Sequence, residues 1–401
     1  MRNKIFVILS SVSLLISCNS KNATEEVEAL YSIDVTSSSS RDSLISPREL
    51  LTDVSYIPLD SSDMFFLTAA KKILELDNKL FVLDGNKEEL VAYDLQGNFI
   101  SKVGVKGEGP EEYKSVTDFV VDDKRNSIIV FSRADQAIVE FNSNLSFKRK
   151  VRLNTWAFQI SLLESGNIAF YTYFSEKGGK NNILIYNLEG DQIAARMPYP
   201  ENDQYMPMDY TGFIVGNYYT YPLSSKIFKL EEDQPIDKAI AEVIFPDRWP
   251  EEKRYNHGDF LHAERSKHHT LSKFTTGNNA EEFLFFYSFR ENNYRVYTLG
   301  ARLASGQVFG HLDLKHGFKS SSDLFGKLFF RGPYSLPTFS SSSGYYYVST
   351  DIESMTDLFY ANKDNALKEI MQIDKELYEV LRQERDHETS IIMRFKLRKS
   401  I

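Results

Sequence analysis

Short apolar runs recur along the chain, separated by clusters of turn-forming residues. The six clearest are Leu80–Leu83, Ile128–Phe131, Ile168–Tyr171, Tyr218–Tyr221, Phe283–Phe286 and Tyr345–Val348. Runs of this length, rich in β-branched and aromatic residues and bounded by Gly, Asn or Asp, predict strands rather than helices. Their starts are spaced by 48, 40, 50, 65 and 62 residues. A second, partly alternating run follows each of the first five: "LVAYDLQGNFI", "AIVEFNSNLSFKRKV", "ILIYNLEGDQI", "KIFKLEED" and "YRVYTLGARLASGQVF". Within them, Leu95–Asn98 and Leu188–Asp191 have the form of hairpin turns in which Gly supplies a positive φ.

A repeat of roughly 40 to 50 residues with about four strands per unit is the pattern of a β-propeller. Six units predict an all-β, six-bladed β-propeller. Ring closure then requires an N-terminal strand, placed at Val54–Leu59, to complete the last blade. Two stretches depart from the pattern. Residues 246–282 are polar and are expected to form a long connection between blades four and five. Residues 362–386 place Leu367, Ile370, Met371, Ile373, Leu377 and Val380 near one helical face, which predicts a short C-terminal helix before a last strand at Ile391–Leu397.

Composition agrees with this picture. The chain has 401 residues, 42% of them hydrophobic, with 29 Phe and 23 Tyr, a usage that suits pleated, half-buried strands. The formal net charge of −9 argues against a nucleic-acid partner, which requires a basic footprint. The single cysteine, Cys18, excludes an internal disulfide and the paired-Cys metal frameworks.

Cys18 is explained by what precedes it. Arg2 and Lys4 form a positive start, and Ile5–Ile16 is an apolar run shorter than the roughly 20 residues that span a bilayer. It ends in Leu15-Ile16-Ser17-Cys18, which resembles the bacterial lipobox. Residues 1–17 are therefore expected to be a lipoprotein signal peptide. Cys18 would be the lipid attachment site, and 18–47 a polar, flexible tether with a four-serine run at Ser37–Ser40. Residues 48–401 would be the propeller. Within the tether, Tyr31–Val35 has the makings of a short strand. The expected location is the bacterial cell envelope, at the outer membrane, with the chain held by its acyl anchor. Nothing in the residues decides between the periplasmic and surface sides.

The stretch "VGVKGEGPEEY", residues 103–113, raises the question of a phosphate loop. Such a loop needs a helix opening behind it, so that backbone N–H groups face the anion. Here Pro110 follows Gly109, the next residues suggest a strand, and no Gly-Lys-Ser/Thr ending is present. An inter-blade crossing fits better. The same stretch resembles the six-bladed β-propeller lipoproteins of Bacteroidetes, propellers of the NHL/TolB-like type. Val103-Gly104, Lys106-Gly107, Gly109-Pro110 and Glu112-Tyr113 match their pattern, and Val105 departs where a basic residue is common. The resemblance implies fold and envelope location, and no activity that can be carried to a residue.

Candidate chemistry is sparse. His257, His262, His268 and His269, with Asp259 and Glu264, offer metal-ligand types, but without HExxH or comparable spacing they suggest a solvated loop. No cofactor or metal is expected. Lys106, Glu108, Glu111 and Glu112 are candidates for one end of a central channel. Tyr171, Tyr173, Phe174, Tyr218, Tyr219 and Tyr221 are candidates for an aromatic platform. The leading candidates for ligand contact or channel facing are Lys106, Glu108, Tyr113, Tyr171 and Tyr219. No catalytic residue is identified. The expected function is a binding module that recognises a peptide, glycan or envelope protein on a propeller face. The alternative is a propeller-type extracellular lyase or hydrolase acting on saccharide or lactone.

Overall fold

A computed structural model describes residues 29–401 apart from 37–46, 61–64, 174, 176–178, 200–212, 222–223, 235–236, 249–267, 278–279, 292–293, 314–323, 331–335, 351–363 and 384–389. The strands form six sheets, each a blade. Blade one holds β3 (Ala70–Leu76), β4 (Lys79–Asp84), β5 (Glu89–Asp94) and β6 (Phe99–Lys102). Blade two holds β7 (Asp118–Asp122), β8 (Ser127–Ser132), β9 (Ala137–Asn142) and β10 (Phe147–Arg152). Blade three holds β11 (Gln159–Leu162), β12 (Ile168–Tyr171), β13 (Asn181–Tyr186) and β14 (Gln192–Pro198). Blade four holds β15 (Phe213–Val215), β16 (Tyr218–Thr220), β17 (Lys226–Lys229) and β18 (Lys238–Ile244), and β1 (Tyr31–Asp34) pairs with β18 in parallel. Blade five holds β19 (Thr270–Thr276), β20 (Phe283–Glu291), β21 (Tyr294–Arg302) and β22 (Val308–Asp313).

Blade six is composite. Its order is β23 (Thr338–Ser340), β24 (Tyr345–Ser349), β25 (Ile391–Leu397) and β2 (Leu51–Pro58), so the closing strand comes from the N-terminal part as expected. The first strands β3, β7, β11, β15, β19 and β23 each contact the next, and β23 contacts β3, which closes the ring around a central channel. All six run from one face, here the upper, to the other. The upper face carries the connections between blades. The lower face carries the turns between first and second strands.

The six conspicuous apolar runs turn out to be the second strands. The second strand is flanked by hydrogen-bonded neighbours and packed on both faces, so successive residues go to opposite interfaces. In β4, Phe81 and Leu83 enter the cluster shared with blade two, while Leu80 and Val82 enter the one shared with blade six. In β8, Ile128 and Val130 face blade one, and Ile129 and Phe131 face blade three. Each of the six inter-blade interfaces holds one such cluster. Each fully buried Leu, Ile or Phe contributes about 1.5–3 kcal/mol relative to exposure.

Short acidic and amide side chains at strand ends fold the turns. Asp84 Oδ1 accepts from the N–H of Asn86 and Lys87, and Asp122 Oδ1 from those of Lys124 and Arg125. Asp94 and Asn187 repeat the device before Gly97 and Gly190, whose φ values are +89° and +95°. These are the two hairpin glycines expected from the sequence.

The short strand expected at Tyr31–Val35 is present as β1, and Ile33 and Val35 bury it against blade four. Two details differ from expectation. The polar region 246–282 ends in a true inner strand, β19, whose buried Thr and Ser masked its strand character. Residues 364–373 and α1 (Lys375–Leu381) are helical and bury Ile370, Leu377 and Leu381 in the blade five–six cluster, but Met371 points out, 52% exposed. The helical segment is an insertion between β24 and β25, so the chain returns from it into the middle of blade six. Residues 1–17, Cys18, Phe174, His257, Asp259, His262 and Glu264 lie outside the described residues.

Candidate functional site

A cavity of about 430 Å³ occupies the channel, and all six inner strands contribute to its wall. Ile160, Leu162, Phe213, Phe274, Leu336 and Phe339 supply an apolar lining. Lysines 71, 72 and 273 and Asp118 add charge toward the upper half, and Asp122, Asp123 and Glu164 toward the lower rim.

The inner strands are stitched to one another by side chains. Lys72 Nζ donates to Asp118 Oδ1 (3.1 Å) and to the Ile160 carbonyl (3.4 Å), and Asp118 Oδ2 accepts from the Ile160 N–H (2.8 Å). One lysine and one aspartate thus join blades one, two and three. Thr338 Oγ1 accepts from the Ile73 N–H (3.2 Å) and donates to the Ile73 carbonyl. Ser340 Oγ makes the same exchange with Glu75, joining blade six to blade one. Ser161 Oγ donates to the Gly216 carbonyl (3.0 Å). The exposed edges of the inner strands therefore already have side-chain partners at these positions.

The two ends differ in charge. At the lower rim, Ser341 Oγ donates to Asp123 Oδ2 (2.9 Å), joining turns of blades six and two beneath blade one. Desolvation inside this rim, with repulsion from Asp122, raises the Asp123 pKa despite the bond from Ser341. At the upper mouth, Thr117 organises two cations. Its carbonyl accepts from Lys71 Nζ (2.7 Å), and its hydroxyl accepts from the Arg133 backbone N–H (3.0 Å). Lys71 is exposed at the cavity wall although protein surrounds it closely. Desolvation lowers its pKa, and repulsion from Lys72 and Arg133 adds to this against the pull of Asp118. The Arg133 guanidinium lies 4.4 Å from the Phe158 ring centre and 5.1 Å from that of Trp156. Tyr173 packs edge-on against Phe158 with φ +53°, an uncommon conformation for a bulky residue. Among the described residues, no carboxylate lies within ion-pairing distance of Lys71 or Arg133.

The residues singled out in the sequence sit elsewhere. Tyr171 and Tyr219 belong to the cluster between blades three and four, on second strands one layer out from the channel. Tyr219 Oη donates to Asp237 Oδ2 (2.7 Å), and burial raises the pKa of both groups. Tyr113 is buried between blades one and two, with its hydroxyl donating to the Val103 carbonyl. Lys106 Nζ donates to the Lys87 carbonyl (2.6 Å), and Glu108, largely exposed, pairs with Lys114 (3.2 Å). None of the five is part of the cavity wall. The glycine-rich stretch is a closed corner. Gly107 N–H donates to the Tyr113 carbonyl (3.0 Å) and Gly109 N–H to Glu112 Oε2 (2.8 Å). Gly104, at φ +72°, lies where a Cβ would come within 2.6 Å of Phe141. Of the aromatic candidates, Tyr218 reaches the cavity and Tyr173 the upper mouth. His268 Nδ1 lies 3.0 Å from Asp247 Oδ1, and among the described residues no group of three His, Cys, Asp or Glu is placed to hold a metal.

Residues 30–381 match the family model described as Domain of unknown function (DUF4934). The chain belongs to this family. The match begins just before β1 and ends at the last residue of α1, so the DUF4934 span includes the docked strand of blade four but stops short of β25. The chain is also similar in fold to a putative exported protein from Bacteroides fragilis NCTC 9343 (18% identity, TM-score 0.66, covering 92% of this chain and 99% of that one). A member of the DUF4221 family from Bacteroides vulgatus ATCC 8482 is similar as well (10% identity, TM-score 0.52, covering 87% and 98%). No match is found among curated proteins.

Sequence reasoning missed Lys71, Lys72, Asp118, Arg133, Trp156 and Phe158 in this DUF4934 chain. The inner strands carry the channel chemistry, and their mixed polar sequences are the least conspicuous of each blade. One signal was present: Lys71 and Lys72 are adjacent charges at the head of a strand otherwise rich in Leu and Ile.

Proposed function

We propose that this DUF4934 protein is a lipid-anchored binding module of the bacterial cell envelope that takes a small ligand into the upper end of its channel. The observation that carries the reading is the cavity itself. A concave, mostly apolar space of this size with a few convergent polar groups is the usual form of a small-molecule site. The ring holds it rigid, and surface connections around the mouth supply selectivity.

The anchor rests on Cys18 and the positive, apolar lead before it. Geometry is compatible with it. The fourth strand of a blade runs from the lower to the upper face, and β1 runs parallel to β18, so Tyr31 enters at the lower face. Residues 19–30 reach at most about 40 Å when extended. The lower face would then look toward the bilayer and the cationic mouth away from it.

A thermal-shift screen of the full chain in detergent, against oligosaccharides and short peptides, tests the binding reading. A true ligand raises the melting temperature progressively with dose. Leu336→Trp, which places an indole in the cavity wall, should abolish the response. A ligand whose effect survives that substitution binds elsewhere, and the channel reading fails. For the anchor, Cys18→Ser should end incorporation of labelled fatty acid and release the protein from membranes.

One observation favours a second reading, a lyase or hydrolase acting on saccharide or lactone. Lys71 lies on the cavity wall with its amine on the Thr117 carbonyl, and desolvation lowers its pKa, the direction a general base requires. Incubation with the ligand found in the screen decides this, since a binding module leaves it chemically unchanged.

A further inference from the structure

Resting on the binding reading above, we infer that the upper mouth selects an acidic saccharide, a sugar ring carrying a carboxylate or sulfate. Lys71 Nζ donates to the Thr117 carbonyl, Lys72 pairs with the next residue, Asp118, and the Arg133 backbone is held by the Thr117 hydroxyl. Among the described residues only Asp118 answers them by ion pair, and it is already shared with Lys72 and the Ile160 N–H. Among the described residues, positive charge therefore gathers at this end of the cavity of a chain of net charge −9, opposed near Lys71 by Asp118 and, more weakly, Glu88. Such a mouth concentrates anions, because field lines focus through a low-dielectric wall. The aromatic side of the site gives the ligand a body. Trp156 is 37% exposed beside Arg133, with Phe158 and Tyr173 behind it, so flat apolar surface lies next to the cations.

An acidic peptide is the competing occupant, and the strand edges count against it. A peptide gains affinity by adding to an open sheet edge. Here the inner-strand groups nearest the mouth are taken by side chains of neighbouring blades: Ile160 N–H by Asp118, and both polar groups of Ile73 by Thr338. A ring that stacks on an aromatic face and presents an anion to Lys71 and Arg133 needs no such edge.

Isothermal titration of the full chain in detergent tests this. The probes are hexuronate trisaccharides, sulfated disaccharides, the matching neutral trisaccharides and tri-glutamate. At least one acidic saccharide should bind ten-fold or more tightly than its neutral counterpart, and raising NaCl from about 50 to 500 mM should weaken it several-fold. Arg133→Gln and Lys71→Met should each weaken it ten-fold or more, and Trp156→Ala several-fold. Lys71→Arg, which keeps the charge, should stay within about three-fold of the native chain and so guards against loss through misfolding. Equal binding of neutral and acidic sugars overturns the inference, as does tighter binding of tri-glutamate or silence across the acidic saccharides. The broader reading fails differently. If a neutral glycan binds, is lost in Leu336→Trp and is untouched by Arg133→Gln, the channel binds ligand without selecting an anion. If nothing binds and Leu336→Trp changes nothing, both readings fall.

Discussion

Blade two is made from one uninterrupted stretch, β7 to β10, with turns at 123–126, 133–136 and 143–146. Blade six is assembled from β23 and β24, from β25 beyond a helical insertion, and from β2 at the other end of the chain. The sheets have the same strand count, and their registers are set by different forces. In blade two, each turn fixes the next strand, and the residues pair one to one from β7 through β9. In blade six, β2 (Leu51–Pro58) pairs with β25 (Ile391–Leu397) from the other end of the chain, and the cost of closing so long a loop must be offset by contacts that span that distance. The comparison teaches that the ring depends on a few long-range contacts at its seam, while blades one, two, three and five are secured locally and blade four adds only the distant strand β1 at its outer edge.

Asp374 is the chief contact at the seam. Buried, it caps α1 by accepting from the Leu377 N–H (2.9 Å), accepts from Tyr56 Oη of β2 (2.8 Å) and pairs with Arg48 just before β2. Asp374→Ala should cost about 3 kcal/mol, the sum of a lost cap and lost hydrogen bonds to a charged group. Hydrogen exchange should rise first in β2, β25 and α1 while β8 and β9 stay protected. Equal loosening of blade two would mean that seam and local blades open as one unit, and the contrast drawn above would fail.

The seam has a second side, where β2 meets blade one. Gly97 is at φ +89°, a Cβ there would lie 2.1 Å from the Pro58 carbonyl oxygen, and its own carbonyl accepts from the Asp60 N–H (2.8 Å). Gly97→Ala should cost about 2–3 kcal/mol, through left-handed strain plus overpacking. Gly344, in the turn between β23 and β24, has φ +68° and nothing within 4 Å of the same position. Gly344→Ala should therefore cost only about 1 kcal/mol. Similar losses in the two variants, read from urea unfolding, would show that the contact with β2 carries no weight.

Blade two should answer to pH instead. Glu140 on β9 is buried, which opposes its ionisation, but hydrogen bonds from Lys148 (2.8 Å) and Arg149 (2.6 Å) prevail and hold its pKa below the usual range. A depressed carboxyl pKa adds stability that is complete above the unfolded value of about 4.3 and is lost as pH falls through the folded value. Glu140→Gln should cost about 2 kcal/mol at neutral pH and flatten the acid limb of the stability curve. An unchanged acid limb would place the blade's pH response on other carboxylates.

The same contrast explains what could be read in advance. Residues Leu80–Leu83 and their five counterparts were legible because a strand packed on both faces must be apolar at every position. The closing strand and Ile391–Leu397 were legible because a ring cannot end on an open edge. β19 was hidden because Thr270, Ser272 and Thr276 are buried through hydrogen bonds and Thr275 is buried among them, so that an inner strand reads as polar. The candidate site was nearly invisible. Lys71, Asp118, Arg133 and Trp156 come from blades one and two and the connection to blade three, and only ring geometry brings them to one mouth. Tyr171 and Tyr219 drew notice as aromatics, yet their place on second strands, packed on both faces, puts them in the core.

The smallest expected effect tests how much slack the local design holds. The turns of blade two place Asn126, Gln136 and Leu145 at φ +48°, +51° and +72°, where glycine would be unstrained. Gln136 lies in the turn that carries Arg133. That turn is held by the bond between Ser132 Oγ and Asp135 Oδ2 (2.6 Å), by Gln136 N–H to the Arg133 carbonyl (3.2 Å) and by Leu153 N–H to the Gln136 carbonyl (2.7 Å). Gln136→Gly relieves about 1–2 kcal/mol of left-handed strain and gives back roughly 0.5–1 kcal/mol in unfolded-chain entropy. The net should be a gain of about 0.5 kcal/mol in urea unfolding, with ligand affinity at the mouth unchanged. A loss of stability would mean that the Gln136 side chain anchors the turn. Weaker binding at unchanged stability would mean that the turn's rigidity, beyond its hydrogen bonds, is what presents Arg133 to a ligand.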